Sequence, residues 1–113
     1  YTVFNDPDLE IAQLAPYTIT THIKDMLVIQ EDVKPRIPFA PVGVAVGDGS
    51  IDIPLAIETL TRKARNPIGL HLVVEISWVR HAPDATPGQQ AETVNGMIRR
   101  SVDYLHRYIR RDE

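Results

Sequence analysis

The chain contains no cysteine. That excludes disulfides and thiolate-bound metals, and it fits a reducing compartment. No apolar run approaches the roughly 20 residues that a membrane helix needs, and no signal-peptide pattern opens the chain. A surplus of positive charge is also missing. Twelve Lys and Arg against 15 Asp and Glu give a net charge of -3 and a pI of about 5.8. This argues against a general nucleic-acid or membrane-surface binder, because phosphate binding needs clustered cations. There is no internal repeat of solenoid period and no low-complexity segment. A cytoplasmic protein is the expectation. The hydrophobic content of 43% is that of an ordinary globular chain, and 113 residues suit one small domain or a piece of a larger one. Tyr1 is not Met, and Tyr1 to Phe4 runs straight into a helix signal, so the beginning is expected to have been removed or left out.

Asp6-Pro7 is a helix start: an Asp able to cap free amides, then a Pro suited to the first turn. Leu9, Ile11, Ala12, Leu14 and Ala15 supply apolar surface, and Pro16 stops the helix. Tyr17 to Lys24 predicts a strand with Ile19, Thr21 and Ile23 on one side and Thr18, Thr20, His22 and Lys24 on the other. That polar side would be costly in a sandwich core but suits the interior of a barrel near its mouth. Met26 to Val46 reads as a hairpin excursion, with prolines restricting it to an edge. Gly47-Asp48-Gly49-Ser50 is a turn by composition. Asp52 caps a second helix, whose stripe is Ile53, Ala56, Ile57, Leu60 and Ala64.

Gly69 to Ser77 is the most β-like segment. Leu70, Leu72, Val74 and Ile76 form one face, and His71, Val73, Glu75 and Ser77 the other. Thr86 and Gln89 form a capping box that starts the last helix. Its core stripe is expected to be Val94, Met97, Ile98, Val102, Leu105, Tyr108 and Ile109. Arg99, Arg100, Arg107, Arg110 and Arg111 lie mostly off that stripe, as a solvated outer face. Strands alternating with helices imply βαβ units and a parallel sheet. In such architectures the carboxyl ends of the strands face the ligand. His22, Lys24 and Asp25 end one strand and Glu75 ends another, so these residues are the first candidates for chemistry.

The combination of Asp6-Pro7, Leu14-Ala15-Pro16-Tyr17, His22-Ile23-Lys24-Asp25, Val42-Gly43, Gly47-Asp48-Gly49-Ser50-Ile51-Asp52 and Val74-Glu75 resembles the carboxyl-terminal part of the xylose-isomerase-like TIM-barrel superfamily. That group includes sugar-phosphate isomerases and epimerases, ketose 3-epimerases, inositol-catabolic enzymes and endonuclease IV. The resemblance spans nearly the whole chain, 1–113, as a single segment. It implies an α/β fold: about strands seven and eight of a (β/α)8 barrel with flanking helices, incomplete as a barrel alone. A barrel of eight strands needs about 250 residues. The remaining strands would come from missing sequence or a partner chain.

The resemblance further implies a divalent metal ion, Mn, Mg, Co or Zn, at the carboxyl ends of the strands. His22 and Glu75 match two of its ligands, and an Asp and a second Glu would lie upstream of Tyr1. Val28 stands where sugar epimerases often carry an Arg. The implied activity is isomerisation or epimerisation of a small sugar, polyol or related carbonyl compound. A proton leaves the carbon beside a carbonyl that the metal polarises. Glu75 is the candidate base as well as ligand, and Lys24 would stabilise oxyanion charge. Asp25 would orient His22 or bind a substrate hydroxyl. Trp78 and Arg80, with His81, would rim the substrate pocket.

Each residue also has a plainer role open to it. Lys24 and Asp25 could form a strand-end ion pair. His71 is expected to be structural and Asp48 a turn residue. A dehydratase on the same scaffold is an alternative. An endonuclease IV-like hydrolase is another, although Met26 to Ser50 lacks the additional His ligands it predicts. A third is a non-catalytic fragment or accessory subunit that packs on a partner and oligomerises through exposed strand edges.

Overall fold

A computed structural model describes residues 6–30 and 39–109. The fold is mixed α/β, and no barrel closes among the described residues. The first helix, α1 (Pro7–Leu14), starts as its sequence dictates. The Asp6 carboxylate accepts the amides of Asp8 and Leu9 at 3.1 and 3.3 Å. Pro16 does more than stop it. Ala15–Tyr17 tightens into a 3₁₀ turn, and Thr18 bonds back to it through its amide, to Ala15, and its hydroxyl, to Leu14. Those bonds delay the expected strand from Tyr17 to Thr20. Strand β1 is therefore Thr20–Ile23.

The excursion folds as a hairpin of β2 (Asp25–Gln30) and β3 (Phe39–Val44), antiparallel, with Leu27 opposite Val42. Its tip at 31–38 lies outside the described residues, as do Arg110 and Arg111 of the expected arginine face. Helix α2 (Ile53–Lys63) is capped by Asp52, whose side chain accepts the Leu55 amide at 3.0 Å. Strand β4 (His71–Val74) returns parallel to β1, with Thr20 beside His71 and His22 beside Val73. Helix α3 (Pro87–Leu105) starts on the complete capping box of Thr86 and Gln89.

The strands form two separate pairs, β1–β4 and β2–β3. On one face of the parallel pair, Ile23, Leu72 and Val74 join Val46, Ile53, Ile57 and Leu105 in the core. Each buried aliphatic side chain there contributes about 1.5–3 kcal/mol. On the other face lie Thr20, His22, His71 and Val73, with Val73 44% exposed. Alternation thus puts the polar set on the face opposite this core.

The stripe on α3 differs from expectation: the helix ends at Leu105, so Tyr108 and Ile109 lie beyond it, 41% and 37% exposed. Its buried residues are Met97, Ser101 and Leu105, one turn apart, while Ile98 is 39% exposed. Ser101 occupies the centre because a backbone group needs it there. Its hydroxyl accepts the Val46 amide at 2.8 Å and donates to the Met97 carbonyl at 2.7 Å. No helix of the described residues is long and apolar enough to cross a membrane.

Candidate functional site

The parallel register carries β1 and β4 to a common end. The Glu75 amide donates to the Ile23 carbonyl at 2.9 Å, so pairing continues one residue past β4. Side-chain alternation then places Glu75 on the same face as His22 and Lys24. Glu75 Oε2 lies 3.0 Å from His22 Nδ1, and Oε1 lies 2.8 Å from Lys24 Nζ. Three of the residues singled out from the sequence therefore meet at one strand end.

The cluster is partly open to solvent, with side-chain exposures of 61% for His22, 40% for Lys24 and 34% for Glu75. Lys24, then His22, hold the Glu75 carboxyl below its ordinary value of 4.5 by bonding to the ionised form. An ionised carboxylate only accepts hydrogen bonds, so Nδ1 carries the hydrogen in the His22–Glu75 contact. In the neutral tautomer that makes this contact, the lone pair is on Nε2.

Asp25 does not join this cluster. It is 2% exposed and turned toward the 47–51 turn. Its Oδ2 accepts the amides of Gly47 and Gly49 at 3.0 and 2.9 Å. Its Oδ1 accepts those of Met26 and Ile51 at 2.9 and 3.3 Å. Four backbone donors satisfy the buried carboxylate. Asp25 thereby ties the end of β1 to the turn that enters α2.

Trp78 and Arg80 follow β4 in the connection to α3. Trp78 has φ of 55°, the one positive value on a non-glycine residue among those described, and it is 60% exposed. Its carbonyl accepts the Gly43 amide at 3.0 Å. Residue 43 must be glycine for this contact, since a Cβ there would overlap the Ser77 carbonyl. Arg80 lines a cleft of about 740 Å³ between the 79–85 connection and α3. Glu92 and Arg100 form part of its opposite wall. They lie eight residues apart along α3. Asp48 Oδ2 sits 3.8 Å from an Arg100 nitrogen. An apolar groove of about 330 Å³, lined by Ile57, Leu60, Ile68, Leu70 and Tyr108, lies at the beginning of β4, the end opposite Glu75.

The donor chemistry of the cluster can be compared with what a divalent ion requires. Imidazole and carboxylate are both ordinary ligands for such ions. The 3.0 Å contact from His22 Nδ1 to Glu75 Oε2 is a hydrogen bond, so the ring nitrogen open to an ion is Nε2. These two residues fit, as half of a donor set. Among the described residues no group of three or more His, Cys, Asp or Glu side chains is placed to hold a metal. Comparison with known proteins finds no matching family model, no matching curated relative and no matching solved structure.

Proposed function

We propose that this chain supplies the closing portion of a metal-dependent isomerase or epimerase site. The substrate class is a small sugar, polyol or related carbonyl compound, and the fold context is a xylose-isomerase-like barrel. The observation that supports it is the convergence of His22 and Glu75, 3.0 Å apart, at the carboxyl ends of adjacent parallel strands. In this reading His22 and Glu75 hold the divalent ion, with further ligands from outside this sequence. A bound divalent ion supplies polarisation of the substrate carbonyl.

The chain's own residues have separable tasks. Glu75 accepts the proton from the carbon beside the carbonyl and returns it. As found, it is ionised but a poor base, because Lys24 holds its carboxyl low. A substrate oxygen that draws Lys24 away from Oε1 raises Glu75 basicity and places the ammonium against the developing oxyanion. One rearrangement then serves both tasks.

Calorimetric titration with Mn²⁺ tests the cation half of this reading. Two protein ligands predict weak binding, about millimolar, that disappears in Glu75→Gln and in His22→Ala. Tight stoichiometric binding, or binding unchanged in both variants, rejects it. In a longer chain with activity, Glu75→Gln should abolish turnover with the fold intact.

A second reading is favoured by a specific observation. Among the described residues, β1 and β4 pair only with each other, and the face bearing Val73 is open. Parallel sheets are otherwise found covered on both faces. A module that packs this face and these edges on a partner, without holding a metal, accounts for that. It predicts concentration-dependent association and no response to Mn²⁺.

A further inference from the structure

Asp or Asn precedes glycine at two places in the chain, Asp48-Gly49 and Asn95-Gly96. Such pairs are chemically labile. The glycine nitrogen can attack the side-chain carboxyl or amide carbon of the residue before it, and glycine has no side chain to hinder the approach. At Asp48 the bond from Gly49 N to Cγ forms and a Cγ–O bond breaks. The hydroxyl of the protonated carboxyl leaves with the amide hydrogen as water. The product is a succinimide ring. Water then adds to either ring carbonyl. One opening restores aspartate, and the other leaves the main chain running through the side-chain carbon, as isoaspartate. No oxidant, reductant or further reactant is required.

The two pairs have different settings. Asn95-Gly96 lies inside α3, where helical hydrogen bonds hold the backbone. Asp48-Gly49 lies in the 47–51 turn, and the Asp48 side chain is 60% exposed. Three consecutive amides of that turn are nevertheless held. The Asp48 amide donates to the Ala45 carbonyl at 3.0 Å, and the Ser50 amide donates to the Met26 carbonyl at 3.1 Å. Between them the Gly49 amide, whose nitrogen is the nucleophile, donates to Asp25 Oδ2 at 2.9 Å. The acceptor is itself fixed, since Asp25 is 2% exposed and takes the amides of Met26, Gly47 and Ile51 as well. To reach Cγ of Asp48, the Gly49 nitrogen must turn toward it and lose its hydrogen. Both steps break the bond to Asp25. Arg100, 3.8 Å from Asp48 Oδ2, adds little restraint, because the pair is exposed.

We infer that Asp48-Gly49 is a latent isoaspartate site, and that the Asp25 clasp keeps it closed. Asp25 is a positioning residue in this role: it holds the attacking nitrogen away from its target. The modification is self-sustaining once formed. Isoaspartate adds one carbon to the backbone of the turn, so the Gly49 amide no longer meets Asp25 while its neighbours keep their places. An opening of the clasp is thereby converted into a permanent change where the end of β1 is tied to the turn entering α2. The inference is independent of any metal at His22 and Glu75.

The test incubates the full chain at neutral pH and digests it. Electron-transfer fragmentation then scores isoaspartate at residue 48. In the native chain it should accumulate at least about tenfold more slowly than in the same chain unfolded in urea. Asp25→Asn should raise the native rate about tenfold. Leu60→Ala, which weakens the core at a buried position of α2 without touching the clasp, should leave the rate at 48 unchanged. Where Asp25→Asn fails to fold, hydrogen exchange of the Gly49 amide in the parent decides, and protection there is expected. Equal rates in the native and unfolded chains overturn the inference. So does a rate unchanged or lowered in folded Asp25→Asn, a rate raised as much by Leu60→Ala as by Asp25→Asn, or an unprotected Gly49 amide.

Discussion

Asp25 Oδ2 accepts the Gly49 amide at 2.9 Å, and the contact is close enough that a Cβ on residue 49 would overlap the Asp25 carboxylate. The acid and the glycine therefore depend on each other. Asp25→Asn replaces one acceptor oxygen with a donor amide facing backbone donors, and should cost about 1–3 kcal/mol. Gly49→Ala pushes the carboxylate out of its clasp, at a similar cost of about 1–3 kcal/mol. Both act on one hydrogen-bonded unit, so the double variant should lose less than the sum. Urea midpoints of the four proteins measure this, and simple additivity would show that the two residues act separately.

The Asp25 clasp also marks the boundary of what the sequence made legible. Alternation in Tyr17–Lys24 and Gly69–Ser77 was enough to put His22, Lys24 and Glu75 on one face, because a period of two is local. The caps at Asp6, Asp52 and Thr86 were readable for the same reason. Asp25 was not, since three of its four partners lie 22 to 26 residues away and an Asp after a Lys carries no sign of direction. Ser101 was hidden by the rule that made α3 legible: an apolar stripe leads the eye past a serine. The trimming of β1 came from Thr18 bonding backward, a competition between side chain and strand that periodicity does not register.

Ser101 should be worth more than its size. Ser101→Ala leaves the Val46 amide, in a buried turn, without its acceptor. A loss of about 1–3 kcal/mol is expected. Ile98→Ala, three residues earlier on an exposed position, should cost about 0.5 kcal/mol or less. Chemical denaturation of both variants compares them, and a larger loss at Ile98 would contradict the burial pattern of α3.

Gly43 offers a direct handle on Trp78. In Gly43→Ala the new methyl displaces the Ser77 carbonyl and breaks the hydrogen bond that fixes the Trp78 peptide. The indole should then move to an altered environment, seen as a shifted emission maximum and lower anisotropy. The Mn²⁺ response should stay as in the parent, because β1 and β4, which hold His22 and end just before Lys24 and Glu75, do not pair with the strand of Gly43. Unchanged tryptophan emission would mean that the Gly43–Trp78 bond does not set the ring's position.

The acid side of the stability profile should carry the signature of Glu75. Its carboxyl gives up its proton more readily in the folded chain, chiefly because of Lys24 and secondly because of His22. The unfolded chain takes up that proton near the ordinary 4.5, and the folded chain only at lower pH. Folding is thus favoured at pH values above the unfolded value, and the contribution fades as pH falls through the folded one. Replacing Lys24 with Met removes the larger cause. The Glu75 carboxyl should then titrate closer to 4.5, and the fall in stability between about pH 5 and pH 3 should be shallower. Carbon-13 NMR of the Glu75 carboxyl across that range, beside urea midpoints at each pH, measures both effects. An unchanged Glu75 titration in Lys24→Met would show that the ammonium does not hold Oε1 in solution. It would also remove the restraint on basicity on which the proposed division of labour between Lys24 and Glu75 depends.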